Sequence, residues 1–501
     1  MGRIAKETIS GAKWGMIQKC TMHPVQFVFG VVLARLISPE AFGILGLTSI
    51  FFAIAAQLQS CGFGSALIRD IHRTDTDINT VFWTNVGLSA VMSGILFLCA
   101  PLFAAFFHQP ALIWLTRASA LLMFLHSSGN VHWTLYRCRR DFKTPAVVGM
   151  ATSLIAMPFC LWAAYVFPAE YAYWAVFLQG CISGLLSLVV VWCISPWKPR
   201  LVWSGNSFKR YFAYGSKLMI SGIIDAAFSN IKSLAIGKRF SAADLGLFNR
   251  AWHIANLPSS TINGMLGNVT FPILATIQED ESRLLAVYSM YIRITSMAIF
   301  FGSCLLIALA RPAVLLLYGP QWDVCVGYLQ IVVWGVMSFH FTTINNNLLL
   351  VKGRSDIVMR LTVIIKIISL TLLALAMFGT MYTVCWISVA MIPFCIVLNT
   401  YYTGKLYGLT MRRQLRDLLP YFFLSVLCCA PAYLGTLLPL HSVMGVPEDS
   451  YWEMAAQLAL GIPVASVLYC GYLWLRKDEA YLMLLKHARE SRFWPFKKRC
   501  A

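Results

Sequence analysis

The chain has 501 residues, 58% of them hydrophobic and only 12% charged, with a mean hydropathy of +0.68 and a formal net charge of +19. A soluble domain carries about 25% charged residues, so a water-soluble globule of this size, which could not cover its surface with so little charge, is excluded. The apolar runs are long and continuous rather than alternating, which excludes a transmembrane barrel and leaves helices to satisfy the backbone in hydrocarbon.

A crossing needs about 20 mainly apolar residues. Fourteen segments qualify, at roughly 14–36, 42–66, 80–106, 111–135, 145–167, 171–194, 211–236, 249–276, 286–310, 325–351, 357–379, 381–403, 420–440 and 452–475. The predicted class is an all-α polytopic membrane protein. The first span holds Lys19, His23 and Pro24, which do not suit the apolar core of a cleavable signal peptide. On a helix, Lys19, His23 and Gln26 share one face. In the fourth span Arg117 lies on the face opposite His126. The seventh span carries a stripe of Lys217, Ser221, Asp225, Ser229 and Lys232. The eighth carries Asn249, His253, Asn256, Ser260 and Asn263, with Arg250 beside them. Arg293 lies in the ninth span; His340, Thr343 and Asn347 in the tenth; Thr362, Lys366 and Ser369 in the eleventh.

Eight Lys and Arg fall inside the spans: Lys19, Arg117, Lys217, Lys232, Arg250, Arg293, Arg360 and Lys366. Asp225 is the only acid there apart from Glu453 at a span edge. Charge at membrane depth is costly and marks bundle interiors or wet cavities. Structural ion pairs would balance the signs, whereas snorkelling of long stems to an interface accounts for Lys217 and Arg360 near span ends. Scattered hydroxyls and amides also serve helix–helix hydrogen bonds. Several aligned stripes that carry cations read instead as walls of a hydrated, electropositive cavity. Asp225 is a candidate for a coupling ion, or a structural partner of Lys232.

With the N-terminus cytoplasmic, the cytoplasmic loops and tails hold 28 Lys and Arg and the opposite side holds 4. This bias orients the chain with both termini inside. The positive charge is therefore topology and attraction to anionic lipid, not nucleic-acid binding. The tail beyond 475 mixes Leu, Met, Phe and Trp with basic residues and is expected on the membrane surface. The fifteen cysteines are scattered without a CxxC pair and read as small buried hydrophobes, so neither metal nor cofactor is expected.

One corner is written twice. "LARLISPEAFGILG" (33–46) and "IGKRFSAADLGLFN" (236–249) align with an offset of 203, and "GAKW" (11–14) matches "GSKL" (215–218) with an offset of 204. Six spans separate the copies, so the repeat is parallel: two six-helix lobes at 1–200 and 201–410, two extra helices at 411–475, and a basic tail at 476–501. Such repeats are a transporter signature, with the substrate site between the halves.

The set "ARLISPEAFGILGL", "CGFGSALIRD" (61–70), "VFWTN" (81–85), "RRDFKTPA" (139–146), "IGKRFSAADLGLFNRAW" and "LYGPQWD" (317–323) resembles the polysaccharide transporter family, the oligosaccharide flippases of the multidrug/oligosaccharidyl-lipid/polysaccharide flippase superfamily. The likeness spans roughly residues 1–420. It implies a two-lobe core of twelve helices with two added. It also implies a bacterial inner-membrane protein that moves undecaprenyl-diphosphate-linked oligosaccharide, a polysaccharide, lipopolysaccharide or capsule repeat unit, from the cytoplasmic to the periplasmic leaflet by alternating access. Implied partners are the lipid-linked oligosaccharide and membrane lipids, with a polysaccharide polymerase and other export-pathway proteins as further candidates. Lys19, His23, Arg117, Lys232, Arg250, His253, Arg293 and Lys366 are the candidate contacts for the diphosphate, because Lys and Arg lower the cost of carrying phosphate charge through hydrocarbon. A drug or cation exporter would want acids in the cavity. A membrane polymerase or glycosyltransferase would want a large extracytoplasmic loop, and the longest here is 310–325. No catalytic residues are assigned, and no phosphate-binding P-loop occurs.

Overall fold

The computed structural model describes the backbone of residues 2–277, 279–438, 447 and 450–490, and their side chains except at 2–13, 16, 50, 261–273, 275–276, 281 and 487–490. Every regular element among the described residues is helical. Twelve helical segments are long and apolar enough to cross a membrane. They coincide with twelve of the fourteen expected spans, and α1 (Gly2–Leu36) and α9 (Ala242–Thr276), each of 35 residues, carry the other two. The polytopic all-α fold is borne out.

The chain divides into two compact units, Met1–Gly246 and Leu247–Ala501. The first holds α1, α2 (Pro39–Ser60), α3 (Phe63–Arg69), α4 (Asp75–Phe107), α5 (Ala111–Cys138), α6 (Lys143–Val166), α7 (Tyr173–Ile194) and α8 (Gly205–Arg239). Helix α4 packs on α5, α6 lies against α7 and α1, and α8 lies against α2, α3 and α4. The repeat boundary at 200/201 is a boundary in sequence, whereas packing places α8 with the preceding helices.

Local chemistry sets the corners. Ser38 caps α2 by accepting a hydrogen bond from the Ala41 amide at 3.4 Å, with Pro39 at the first helical position. At the second copy Ser241 accepts from the Asp244 amide at 3.0 Å, and the Ser241 amide donates back to the Asp244 carboxylate at 3.3 Å, a capping box. The two copies touch. A Cβ on Gly43 would collide with the Ala242 carbonyl, and one on Gly246 would collide with that of Pro39. The corner is therefore written twice because each copy supplies the glycine that lets the other's backbone approach.

The second unit contains α10 (Glu281–Ala308), α11 (Ala310–Tyr318), α12 (Asp323–Val336), α13 (Phe339–Val351), α14 (Ser355–Ala376), α15 (Met381–Tyr407), α16 (Met411–Leu437), α17 (Tyr451–Leu475) and α18 (Glu479–Glu490). Helix α10 packs on α16, α16 on α17, and α12 and α14 on α15. Two features differ from the hydropathy reading. The segment read as a loop at 310–325 starts with the nine-residue helix α11, whose Val314, Leu315 and Tyr318 are buried. The tenth span is broken at Met337–Ser338 into α12 and α13. Hydropathy reports only that a stretch is apolar, so it misses both a helix break and a short buried helix.

Candidate functional site

In the first unit, two of the polar stripes lie uncovered. Lys19, His23 and Gln26 are exposed on α1, while Met22 points into the core. On α8, Lys217, Ser221, Asp225 and Ser229 are exposed and Lys232 is half-buried. The face of α8 beside the stripe packs on α2. Gly215 sits against the backbone of Cys61 and Gly62, and Gly222 against the Gln57 side chain, both at the end of α2. Small residues let α8 seat closely on α2, which turns the charged stripe outward from the unit.

Arg117 sits elsewhere. Its guanidinium lies 5.0 Å from the Phe97 ring centroid and 5.2 Å from that of Trp114, both rings well exposed on the apolar outer face. Such cation–π packing suits a cation held at the lipid boundary. The opposite-face His126 fits its ring into the notch left by Gly184 on α7.

In the second unit, Arg250 and Arg293 have protein partners. The Arg250 guanidinium lies 5.1 Å from the Tyr318 ring and 5.4 Å from the Trp322 ring. Both rings are buried, so the "NRAW" and "LYGPQWD" motifs are two halves of one contact. Arg293 donates from Nε and Nη2 to Asp417 Oδ1 at 2.9 and 2.7 Å, and its Nη1 lies 3.7 Å from Glu479 Oε2. Asp417 belongs to the first turns of α16, outside the span drawn from hydropathy, so the tally of buried charges missed this pair. His253 is exposed and Lys366 half-buried. Asn256 and Thr362 bond to carbonyls of their own helices, those of Trp252 and Val358. The Asn263 side chain lies outside the described residues.

Sequence reading also missed two polar clusters. Tyr288, Asn345, Thr403 and Gln414, all buried, connect α10, α13, α15 and α16. The Tyr288 hydroxyl is 2.9 Å from Asn345 Oδ1 and 3.2 Å from Gln414 Oε1, and Gln414 Nε2 donates to Thr403 at 2.9 Å and to the Leu409 carbonyl at 2.8 Å. In the first unit, Asp70 of the "CGFGSALIRD" motif accepts from the Tyr211 hydroxyl at 2.7 Å. Arg210 lies 2.6 Å from Asp77 and 3.5 Å from Asp70. The partners in the second cluster are more than a hundred residues apart, and Tyr288 lies 57 and 126 residues from its own, a range at which helical periodicity reports nothing.

Among the described residues no three metal-ligating side chains come together. Comparison with known proteins gives the relationship. Residues 32–327, more than half of the chain, match the family described as polysaccharide biosynthesis protein. The chain belongs to this family. Teichuronic acid biosynthesis protein TuaB of Bacillus subtilis (strain 168) is 23% identical over 95% of this chain and 96% of its own length. Succinoglycan biosynthesis transport protein ExoT of Rhizobium meliloti (strain 1021) is 26% identical over 64% of each chain. A solved structure of lipid II flippase MurJ, in an inward closed conformation, superposes with a TM-score of 0.68 over 93% of this chain and 99% of that one, at 11% identity, which speaks for the fold alone. The resemblance to the polysaccharide family is borne out, and this family member is a multi-pass membrane protein.

Proposed function

We propose that this protein flips undecaprenyl-diphosphate-linked oligosaccharide from the cytoplasmic to the periplasmic leaflet of the bacterial inner membrane, by alternating access and without making or breaking a bond in the glycan. The observation that carries the reading is the stripe of α8, exposed from Lys217 to Ser229 with the half-buried Lys232 at its end, on a chain of the polysaccharide biosynthesis family. A row of cations and hydroxyls on a membrane-spanning helix is expensive unless it meets water or a charged cargo. A diphosphate with a glycan offers both an anion and sugar hydroxyls. Lys19, His23 and Lys232 are the proposed diphosphate contacts of the first unit, and Lys366 and His253 those of the second. Arg250, Arg293 and Arg117 serve this cargo only in addition to the ring and carboxylate contacts described above. Asp225 shares the exposed face with Lys217 and is proposed either to bind a coupling ion or to balance Lys232.

The test is reconstitution in liposomes with a defined lipid-linked oligosaccharide, scored by the fraction made accessible to an impermeant periodate or lectin probe on the far leaflet. Protein-dependent movement with unchanged glycan composition is expected. Lengthening or transfer of the glycan would overturn the reading in favour of a polymerase.

A further inference from the structure

We propose that the second unit holds a binding slot for an anionic phospholipid, with one acyl chain between α15 and α16 and the phosphate on Arg412 and Arg416. A cavity of about 340 Å³ lies among α10, the α12–α13 break, α15 and α16. Its floor is Phe300, Met337 and Phe341, each no more than 5% exposed, and its rim includes Trp386, Leu415 and Leu419. Trp386 is 52% and Leu419 37% exposed, so the slot is open sideways towards lipid. The single hydroxyl on its wall, Ser338 Oγ, already donates to the Gly335 carbonyl at 2.8 Å. Apart from the indoles of Trp334 and Trp386 the remaining lining is apolar, so the occupant's buried part is hydrocarbon.

The charge at one end selects the lipid. Arg412, Arg413 and Arg416 are all exposed in the first turns of α16. Arg412 stands three residues before Leu415 and seven before Leu419, near the face that lines the slot and one turn above it, and Arg416, next to Leu415 and three residues before Leu419, flanks that face. The acid in this turn, Asp417, is taken up by Arg293 at 2.7 Å. The slot therefore opens beneath a basic rim, and guanidinium groups hold phosphate oxygens bidentately.

Length argues against the cargo's own tail. The lining stretch Leu415 to Phe422 of α16 rises about 10 Å and that from Trp386 to Ile396 of α15 about 15 Å at 1.5 Å per residue. That is at most about half of the ~30 Å hydrocarbon layer, the depth reached by an acyl chain of one leaflet. An eleven-unit polyprenyl chain would leave most of itself outside.

The full chain, purified in mild detergent, is to be titrated with phosphatidylglycerol, phosphatidylcholine and polyprenyl monophosphate, and bound lipid read by native mass spectrometry. Wild type should retain phosphatidylglycerol about tenfold better than phosphatidylcholine. The double change Arg412→Gln/Arg416→Gln should remove that preference. Ile392→Trp, which fills the slot, should lower retention of both phospholipids, and Val389→Phe provides a milder filling should the tryptophan variant fail to fold. Equal retention in wild type, rim and filled variants would overturn the proposal. So would equal binding of the two phospholipids by wild type, and so would a preference for polyprenyl monophosphate, which would give the slot to an isoprenoid chain.

Discussion

Gly43 on α2 lies directly against the backbone carbonyl of Ala242, and the relationship is returned by Gly246 against Pro39. Neither glycine has a positive φ, so what these positions require is the absence of a side chain. The first prediction follows from that reciprocity. Gly43→Val and Gly246→Val should each destabilise the fold by about 1–3 kcal/mol or more, the usual cost of overpacking, and both should lower membrane abundance. Thermal unfolding in detergent checks this; a variant with unchanged midpoint would show that the corner has room.

Arg250 between Tyr318 and Trp322 provides the second prediction. Arg250→Leu should cost about 1–2 kcal/mol through loss of the cation–ring contacts. Trp322→Ala, at a fully buried site, should cost about 3–5 kcal/mol. Arg250→Lys should fall between wild type and Arg250→Leu, since the charge remains and the planar stacking is lost. Unfolding midpoints of the three variants decide the order.

Arg293 and Asp417 form the third. Removing either partner should destabilise, and the exchange Arg293→Asp/Asp417→Arg should recover part of the loss. With Arg293 38% and Asp417 11% exposed at the side chain, the coupling in a double-mutant cycle should be about 1 kcal/mol. Additive single changes would mean the pair does not hold α10 to α16. Loss of transport at unchanged stability in Arg293→Gln would mean instead that the guanidinium meets cargo.

The fourth concerns the cations proposed to meet the cargo. Lys19→Gln, Lys232→Gln and Lys366→Gln should each lower transport about tenfold at matched membrane abundance, the worth of one charge-assisted contact. Lys→Arg should be better tolerated, and Lys217→Gln milder. Full transport with all three neutralised together would remove the cationic pathway. Asp225→Asn discriminates its two roles. As a coupling site it should abolish gradient dependence, and as a partner of Lys232 it should match Lys232→Gln.

The fifth is topological. Single cysteines placed near residues 140 and 410 on a cysteine-free background should resist an impermeant maleimide in intact cells, because the basic loops belong inside. Labelling at either position from outside would invert the orientation.

The sequence by itself determined the number and order of the spans, because bilayer thickness sets a length that any apolar run either meets or does not. It also determined which residues share a face. The stripes on α1 and α8 are largely exposed in the structure, and on α8 the glycines that seat the helix on α2 lie beside the polar row. Tertiary structure alone decided what the remaining charges do. Arg117 met Phe97 and Trp114, Arg250 met two rings about seventy residues later, and Arg293 met a carboxylate 124 residues away. The break between α12 and α13, the buried helix α11, and the Tyr288–Asn345–Thr403–Gln414 cluster were equally invisible. Hydropathy and periodicity report a residue's surroundings averaged over one or two turns. The partner of a charge is fixed by which helices pack side by side, and that is a property of the assembled chain.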